Sequence, residues 1–226
     1  MNAIFRFILL VVTVVFFAQC NSTKPVKSIE NLKAAFNSES TASEKYAKFA
    51  QTAMEEGYDT IAKLFEATSK SEKIHASNLG KVLEKYSGNV GAAEIGSYEI
   101  KTTLENLQTA INSETYEMQT MYPGFIRNAE GERAAEAAKS FTWAWDGGKR
   151  HLNYYRQVKF AVVKGNENGL FFAWYVCPTC GNIYNPSDVK ENCDFCLTKK
   201  ANFIGYTEEQ GSDDIIVGKV IKLDLC

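Results

Sequence analysis

The chain has 226 residues, is 45% hydrophobic and 23% charged, and carries a formal net charge of −2. That profile gives space for one medium domain and one small one, and excludes a broad nucleic-acid-binding surface. Of its six cysteines, four lie between Cys177 and Cys196, while Cys20 and Cys226 are remote from them. Clustered pairs of this kind point to a metal site rather than to a disulfide framework.

Residues 1–20 read as a leader outside the fold. Arg6 precedes the apolar run Phe7–Ala18, interrupted only by Thr13. The run is too short to span a bilayer, which takes about 20 residues, and suits the core of a signal peptide. It ends at Cys20, followed by a polar tether over 21–27. A cysteine placed there resembles the cleavage and lipidation point of bacterial lipoproteins, although Gln19 replaces the small residue usual before it. An ordinary signal peptide or an uncleaved anchor is the alternative. The expectation is an exported protein held on the periplasmic or cell-surface side of a membrane by a lipid on Cys20.

Residues 28–164 carry helical periodicity. Ile29, Leu32, Ala35, Phe36, Tyr46, Phe49 and Ala53 recur at three and four up to a stop at Gly57. A second helix opens at Asp59 and ends near Gly88, and Ser87–Ser97 reads as a long crossover. A third helix carries Ile100 to Met121, and a fourth runs from about Glu130 to Val163. Four long helices with one crossover predict a mainly α fold, a ferritin-like four-helix bundle. After the linker at 165–169 the pattern changes to short β-type runs at 171–176, 202–206 and 215–221. Residues 165–226 therefore read as a small β domain around Cys177-Pro-Thr-Cys180 and Cys193-Asp-Phe-Cys196. Two such knuckles place four thiolates around one ion, and the pairs alone leave iron and structural zinc equally open.

The chain has two histidines. His75 follows Glu72 by three residues, so both side chains leave one helix face and can reach one ion. Glu39, Glu114, Glu117 and His151 fall on the other three helices. Each alone is ordinary: a solvated glutamate, a surface pair, a satisfied core histidine. Together they place four carboxylates and two imidazoles toward one bundle interior, the donor set of a di-metal centre, with hard oxygens favouring iron or manganese.

These motifs resemble rubrerythrin, in which a ferritin-like di-iron bundle precedes a rubredoxin-like domain. Glu39 with Tyr46, Glu72-Lys-Ile-His75, Glu114-Thr-Tyr-Glu117 with Tyr122, and Phe141 with His151 fit its four helices in order. The knuckles fit its rubredoxin motif, which turns the four-cysteine assignment to iron. The resemblance implies reduction of hydrogen peroxide to water at the bundle, with electrons relayed through the Cys177, Cys180, Cys193 and Cys196 iron. It implies that one iron moves between His75 and Glu117, and that Tyr46 and Tyr122 line the site and hold carboxylates. It also implies a homodimer in which one chain's thiolate iron approaches its partner's bundle. An exported protein further needs an electron donor outside the cytoplasm.

The fourth helix departs from the family. Where a bridging glutamate precedes the histidine by three, this chain has Gly148, itself preceded by Gly147. Asp146 is about 200° around the helix from that face and does not replace it. The expectation is weak binding of the second iron, or water or an anion where the carboxylate is missing. Two further readings stay open: a non-enzymatic metalloprotein, either a lipid-tethered electron carrier using only the four-cysteine iron or an iron-binding module with an inert bundle, and ferroxidase-type iron storage, which needs cage assembly.

Overall fold

The computed structural model describes residues 24–166 and 170–207. Helix α1 spans Val26–Glu55, α2 Asp59–Ser87 and α3 Thr103–Tyr116. A π-helical turn, Glu117–Met121, joins α3 to α4 at Tyr122–Gly131, and α5 spans Ala135–Val163. Because the junctions on both sides of the π-turn keep right-handed helical dihedrals, α3 and α4 form one interrupted rod. With that rod counted once, the helices make the expected four-member bundle.

Three helix boundaries differ from the sequence reading. The third helix begins at Thr103 rather than near Ile100, because Thr102 and Glu105 form a reciprocal capping box there. The rod also runs on past Met121, and the last helix starts at Ala135 rather than near Glu130. Pro123 follows the π-turn and leaves one of its carbonyls without a backbone donor. In that geometry the Met118 carbonyl looks five residues ahead for its donor, and proline has no N–H to give. The freed carbonyl instead accepts from Trp145 Nε1 on α5 at 3.0 Å.

Two apolar clusters fill the bundle. One gathers Tyr46, Phe49, Leu64, Phe65, Leu107 and Tyr155, and the other Leu32, Leu79, Leu83, Tyr122 and Phe141. Each fully buried large side chain contributes about 1.5–3 kcal/mol. Along every helix the predicted ligands fall between the two clusters.

A three-stranded antiparallel sheet, in the order β2-β1-β3, follows: β1 Trp174–Val176, β2 Ile183–Tyr184 and β3 Ile204–Tyr206. The strands at 171–176 and 202–206 are shorter than the sequence pattern suggested, and β2 was not foreseen. Trp174, Val176 and Ile183 join the first apolar cluster of the bundle. Arg150 on α5 pairs with Asp194 at 3.0 Å, and Tyr154 donates to Asp188. The leader with Cys20, the strand expected at 215–221 and Cys226 lie outside the described residues. Among the described residues no helix is long and apolar enough to cross a membrane.

Candidate metal centres

Each helix of the bundle brings its polar residues to one level. Glu39, Glu72, His75, Glu114, Glu117 and His151 are all buried there. Nδ1 of His75 lies 2.8 Å from Glu72 Oε2 and 3.6 Å from Glu39 Oε2. On the far side of the same carboxylate, Nδ1 of His151 lies 3.1 Å from Glu72 Oε1 and 3.4 Å from Glu114 Oε1. The result is two overlapping groups of metal-ligating side chains, Glu39/Glu72/His75 and Glu72/Glu114/His151, with Glu72 common to both.

Glu117 belongs to neither group. It turns aside and accepts from Ser38 Oγ at 2.9 Å. It sits at the base of a cleft of about 380 Å³ lined by Ser38, Thr41, Lys45 and Ser113 and by Glu94 and Gly96 of the crossover. Tyr46 OH donates to Glu114 Oε1 at 3.0 Å and Tyr122 OH donates to Glu39 Oε1. Both tyrosines therefore hold carboxylates of the cluster.

The donor atoms fit metal ions. Oε2 of Glu39, Oε2 of Glu114 and Nδ1 of His151 are buried without a hydrogen-bond partner, an arrangement that costs free energy unless something satisfies them. Without metal the cluster must hold protons instead. Burial, followed by the Glu72 charge, raises the carboxyl pKa values of Glu39 and Glu114. Burial with the charges of Glu114 and Glu72 pushes Glu117 up to about 8. Burial opposes the charged form of Glu72 too, but the His151 charge 3.1 Å away and the hydrogen bond from His75 outweigh it and hold this carboxyl well below its ordinary range. Burial likewise opposes a charged His151, and Glu72 and Glu114 overcome it to raise the ring to about 10.

A stability prediction follows from these directions. Glu117 keeps its proton in the folded state up to about 8, whereas the unfolded chain loses it near the ordinary carboxylate value. Stabilisation from charged His151 is complete below its ordinary 6.5 and is lost as pH rises through about 10. Both contributions fall with rising pH. The metal-free protein is therefore expected to show a melting temperature that declines from pH 6 to pH 9, and metal loading to flatten that slope by displacing protons. Thermal melts with and without chelator read this out, and a rise over that range for the metal-free form would contradict it.

The glycine pair has a structural reason. A Cβ at Gly147 would sit 2.5 Å from Cε1 and 2.7 Å from Nε2 of His75, so only glycine lets α5 approach that ring. A Cβ at Gly148 would collide with Met118 Cε and lie 2.9 Å from its Sδ and 2.8 Å from Glu114 Oε2. The side chain of Met118, carried by the π-turn, thus occupies the space into which a carboxylate at 148 would grow.

The second centre is built by the knuckles. The four thiols of Cys177, Cys180, Cys193 and Cys196 lie within 4.8 Å of one another. Cys177 and Cys196 approach to 3.4 Å, and Cys180 and Cys193 to 3.5 Å. Four thiolates about 2.3 Å from one tetrahedral ion stand about 3.8 Å apart, so a modest outward relaxation admits the ion. Hydrogen bonds from Cys177 and Cys180 hold the Cys193 thiol pKa well below its ordinary value, and Tyr184 OH donates to the same sulfur at 3.1 Å. Thiol geometry by itself suits iron and zinc equally. The knuckle rests on the bundle of its own chain: Ser71 Oγ meets Gly181 O at 2.5 Å, and Asn78 Nδ2 donates to Thr179 O at 2.9 Å.

The rubrerythrin family model matches residues 30–159. This chain belongs to the rubrerythrin family. Nigerythrin of Nitratidesulfovibrio vulgaris is 32% identical over 179 residues, covering 79% of this chain and 86% of the relative. Rubrerythrin-2 of Clostridium acetobutylicum is 31% identical over 188 residues, covering 82% of this chain and all of the relative. The solved structure of fully reduced, all-ferrous nigerythrin superposes with a TM-score of 0.72 at 32% identity, covering 79% of this chain and 86% of that one. As a member of this family the chain has a carboxylate–histidine di-metal centre and a rubredoxin-like four-cysteine centre. Ser71, Met118 and Gly181 were not foreseen from the sequence. A small polar residue four positions before His75, hence on the same buried face, was the signal available for Ser71.

Proposed function

We propose that this protein is a non-haem iron peroxidase that reduces hydrogen peroxide to water, drawing electrons through its four-cysteine iron. The observation that carries the reading is the pair of buried ligand groups sharing Glu72, with a four-thiol centre packed against the same bundle. Rubrerythrin relatives and the all-ferrous nigerythrin structure support iron as the metal in both centres. Two iron ions held by these carboxylates would supply two electrons per peroxide, and a tetrahedral thiolate iron supplies one at a time. Each turnover takes one peroxide, two electrons and two protons to two waters.

The remaining work belongs to the side chains. The cleft of Ser38, Thr41, Lys45 and Ser113 gives a small polar oxidant a route to Glu117. Glu117 lies beside that route, its carboxyl held by the Ser38 hydroxyl. Tyr46 and Tyr122 fix the Glu114 and Glu39 carboxylates, and the two apolar clusters keep bulk water from the site. By the leader motif the protein is exported, lipid-anchored through Cys20 and supplied by an extracytoplasmic electron donor, and by analogy with its family it acts as a homodimer. The test is stopped-flow absorbance of anaerobically reduced, iron-loaded protein mixed with hydrogen peroxide. Fast oxidation of the thiolate iron, two electrons per peroxide, is expected. Oxidation no faster than in protein whose bundle is metal-free would remove the reading.

A second reading has its own observation. Met118 fills the place of the fourth-helix carboxylate, which favours an electron carrier with a bundle that holds one metal. Metal content per chain separates the two: three irons support the peroxidase, two the carrier.

A further inference from the structure

One stripe of α2 meets the four-cysteine knuckle. Ser71, His75 and Asn78, spaced four and three apart, lie on a single helix face, and each touches the knuckle turn. Ser71 Oγ meets Gly181 O, the His75 ring packs against Gly181, and Asn78 bonds the Thr179 carbonyl. Gly181 adopts φ +85°, and a Cβ there would lie 2.5 Å from Cδ2 and Nε2 of His75 and 3.1 Å from Ser71 O. Backbone conformation and space both require glycine at the point where the knuckle closes on the bundle.

Ser71 makes a second contact. Its fully buried hydroxyl also lies 2.9 Å from Nε2 of His151. A hydroxyl has one hydrogen, and the Gly181 carbonyl can only accept, so that hydrogen goes to Gly181. Toward His151 the Ser71 oxygen must then accept, which places the ring hydrogen on Nε2. In the neutral ring Nδ1 is left bare, and Nδ1 is the atom that faces Glu72 and Glu114 and has no other partner. Outer hydrogen bonds of this kind set which imidazole nitrogen takes a metal.

We propose that the Ser71 hydroxyl is a positioning group between the two centres: it seats the Gly181 carbonyl of the knuckle on the bundle and presents Nδ1 of His151 to the bundle metal. The same hydroxyl completes a bonded path from Cys180, whose neighbour is Gly181, to His151. The inference rests on the reading of two cooperating metal centres, but its test does not require peroxide to react.

The experiment uses the full chain with its four-cysteine site filled, as wild type, Ser71→Ala and Ser71→Thr. Bundle affinity is read by Co²⁺ titration, and the His151 tautomer by nitrogen-15 NMR of the zinc-loaded wild type. Ser71→Ala is expected to weaken one of two Co²⁺ equivalents by roughly 10- to 100-fold, the usual loss for an outer partner of a ligating histidine. Ser71→Thr, which keeps the hydroxyl, is expected to restore most of it, and His151 to carry its hydrogen on Nε2. Wild-type affinity in Ser71→Ala, equal loss in both variants, or a hydrogen on Nδ1 of zinc-bound His151 would each overturn the proposal. The NMR result stands even where a variant fails to fold. A protein with the expected tautomer and affinities that ignores peroxide would refute the peroxidase and leave Ser71 in place.

Discussion

Glu72→Gln is expected to empty the bundle of both metals while leaving the four-cysteine centre loaded. Glu72 is the one residue common to both ligand groups, with one oxygen toward each histidine. An amide matches its shape but gives one neutral oxygen and a nitrogen that cannot ligate. The affinity loss should exceed the roughly 10- to 100-fold cost of removing an outer partner, and it should strike both equivalents at once. Glu39→Gln and Glu114→Gln, each confined to one group, should spare the other equivalent. Metal per chain after dialysis decides the matter, with the thiolate iron absorbance as internal standard. Two bundle metals retained in Glu72→Gln would show that the carboxylate does not bridge the site. Oxidation of the thiolate iron by peroxide should fall with the bundle metals.

The second large effect concerns Gly148. Restoring a carboxylate there as a single change, Gly148→Glu, should destabilise the protein by about 1–3 kcal/mol through overpacking, because the new side chain enters space held by Met118 and beside Glu114. Paired with Met118→Ala, it should recover stability, bind the second metal more tightly and accelerate peroxide reduction. Thermal melts and metal titration of both variants read this out. A single variant as stable as wild type would mean that Met118 yields freely. A double variant with unchanged metal affinity would mean that the carboxylate position is not what limits the site.

The ligands were legible in the sequence because their spacing carries the information. Glu72 and His75 share a helix face by their separation of three, and the two Cys-x-x-Cys pairs declare a tetrahedral site without any knowledge of packing. What escaped notice depends on approach between elements distant in the chain. Gly147 and Gly148 read as a cost to helix stability, whereas their purpose is visible only once the His75 ring and the Met118 side chain lie against α5. Glu117 was expected as a ligand, and a spacing argument alone does not reveal that it turns to Ser38 while His75 faces the centre. The seating of the knuckle on its own chain needs a glycine at positive φ and a serine at a matching height, and neither is marked as such by its neighbours. The interrupted third helix had a sequence signal in Pro123, which the unbroken apolar periodicity concealed.

The π-turn at Glu117–Met121 gives the protein a sensitivity of a different kind. It holds one more residue per turn than the α-helices on either side. Winding its residues into ordinary α-helix would rotate everything after it by about 100° relative to everything before it, and losing one residue at the same time would cancel that rotation. Glu114 precedes the turn, while Tyr122, which holds Glu39, follows it. After such a rewinding, with no residue lost, the two could not face the same interior together. The turn is thus what sets both on one face, and a loss of three nucleotides from the coding sequence within it, altering no ligand, would leave their phase nearly unchanged.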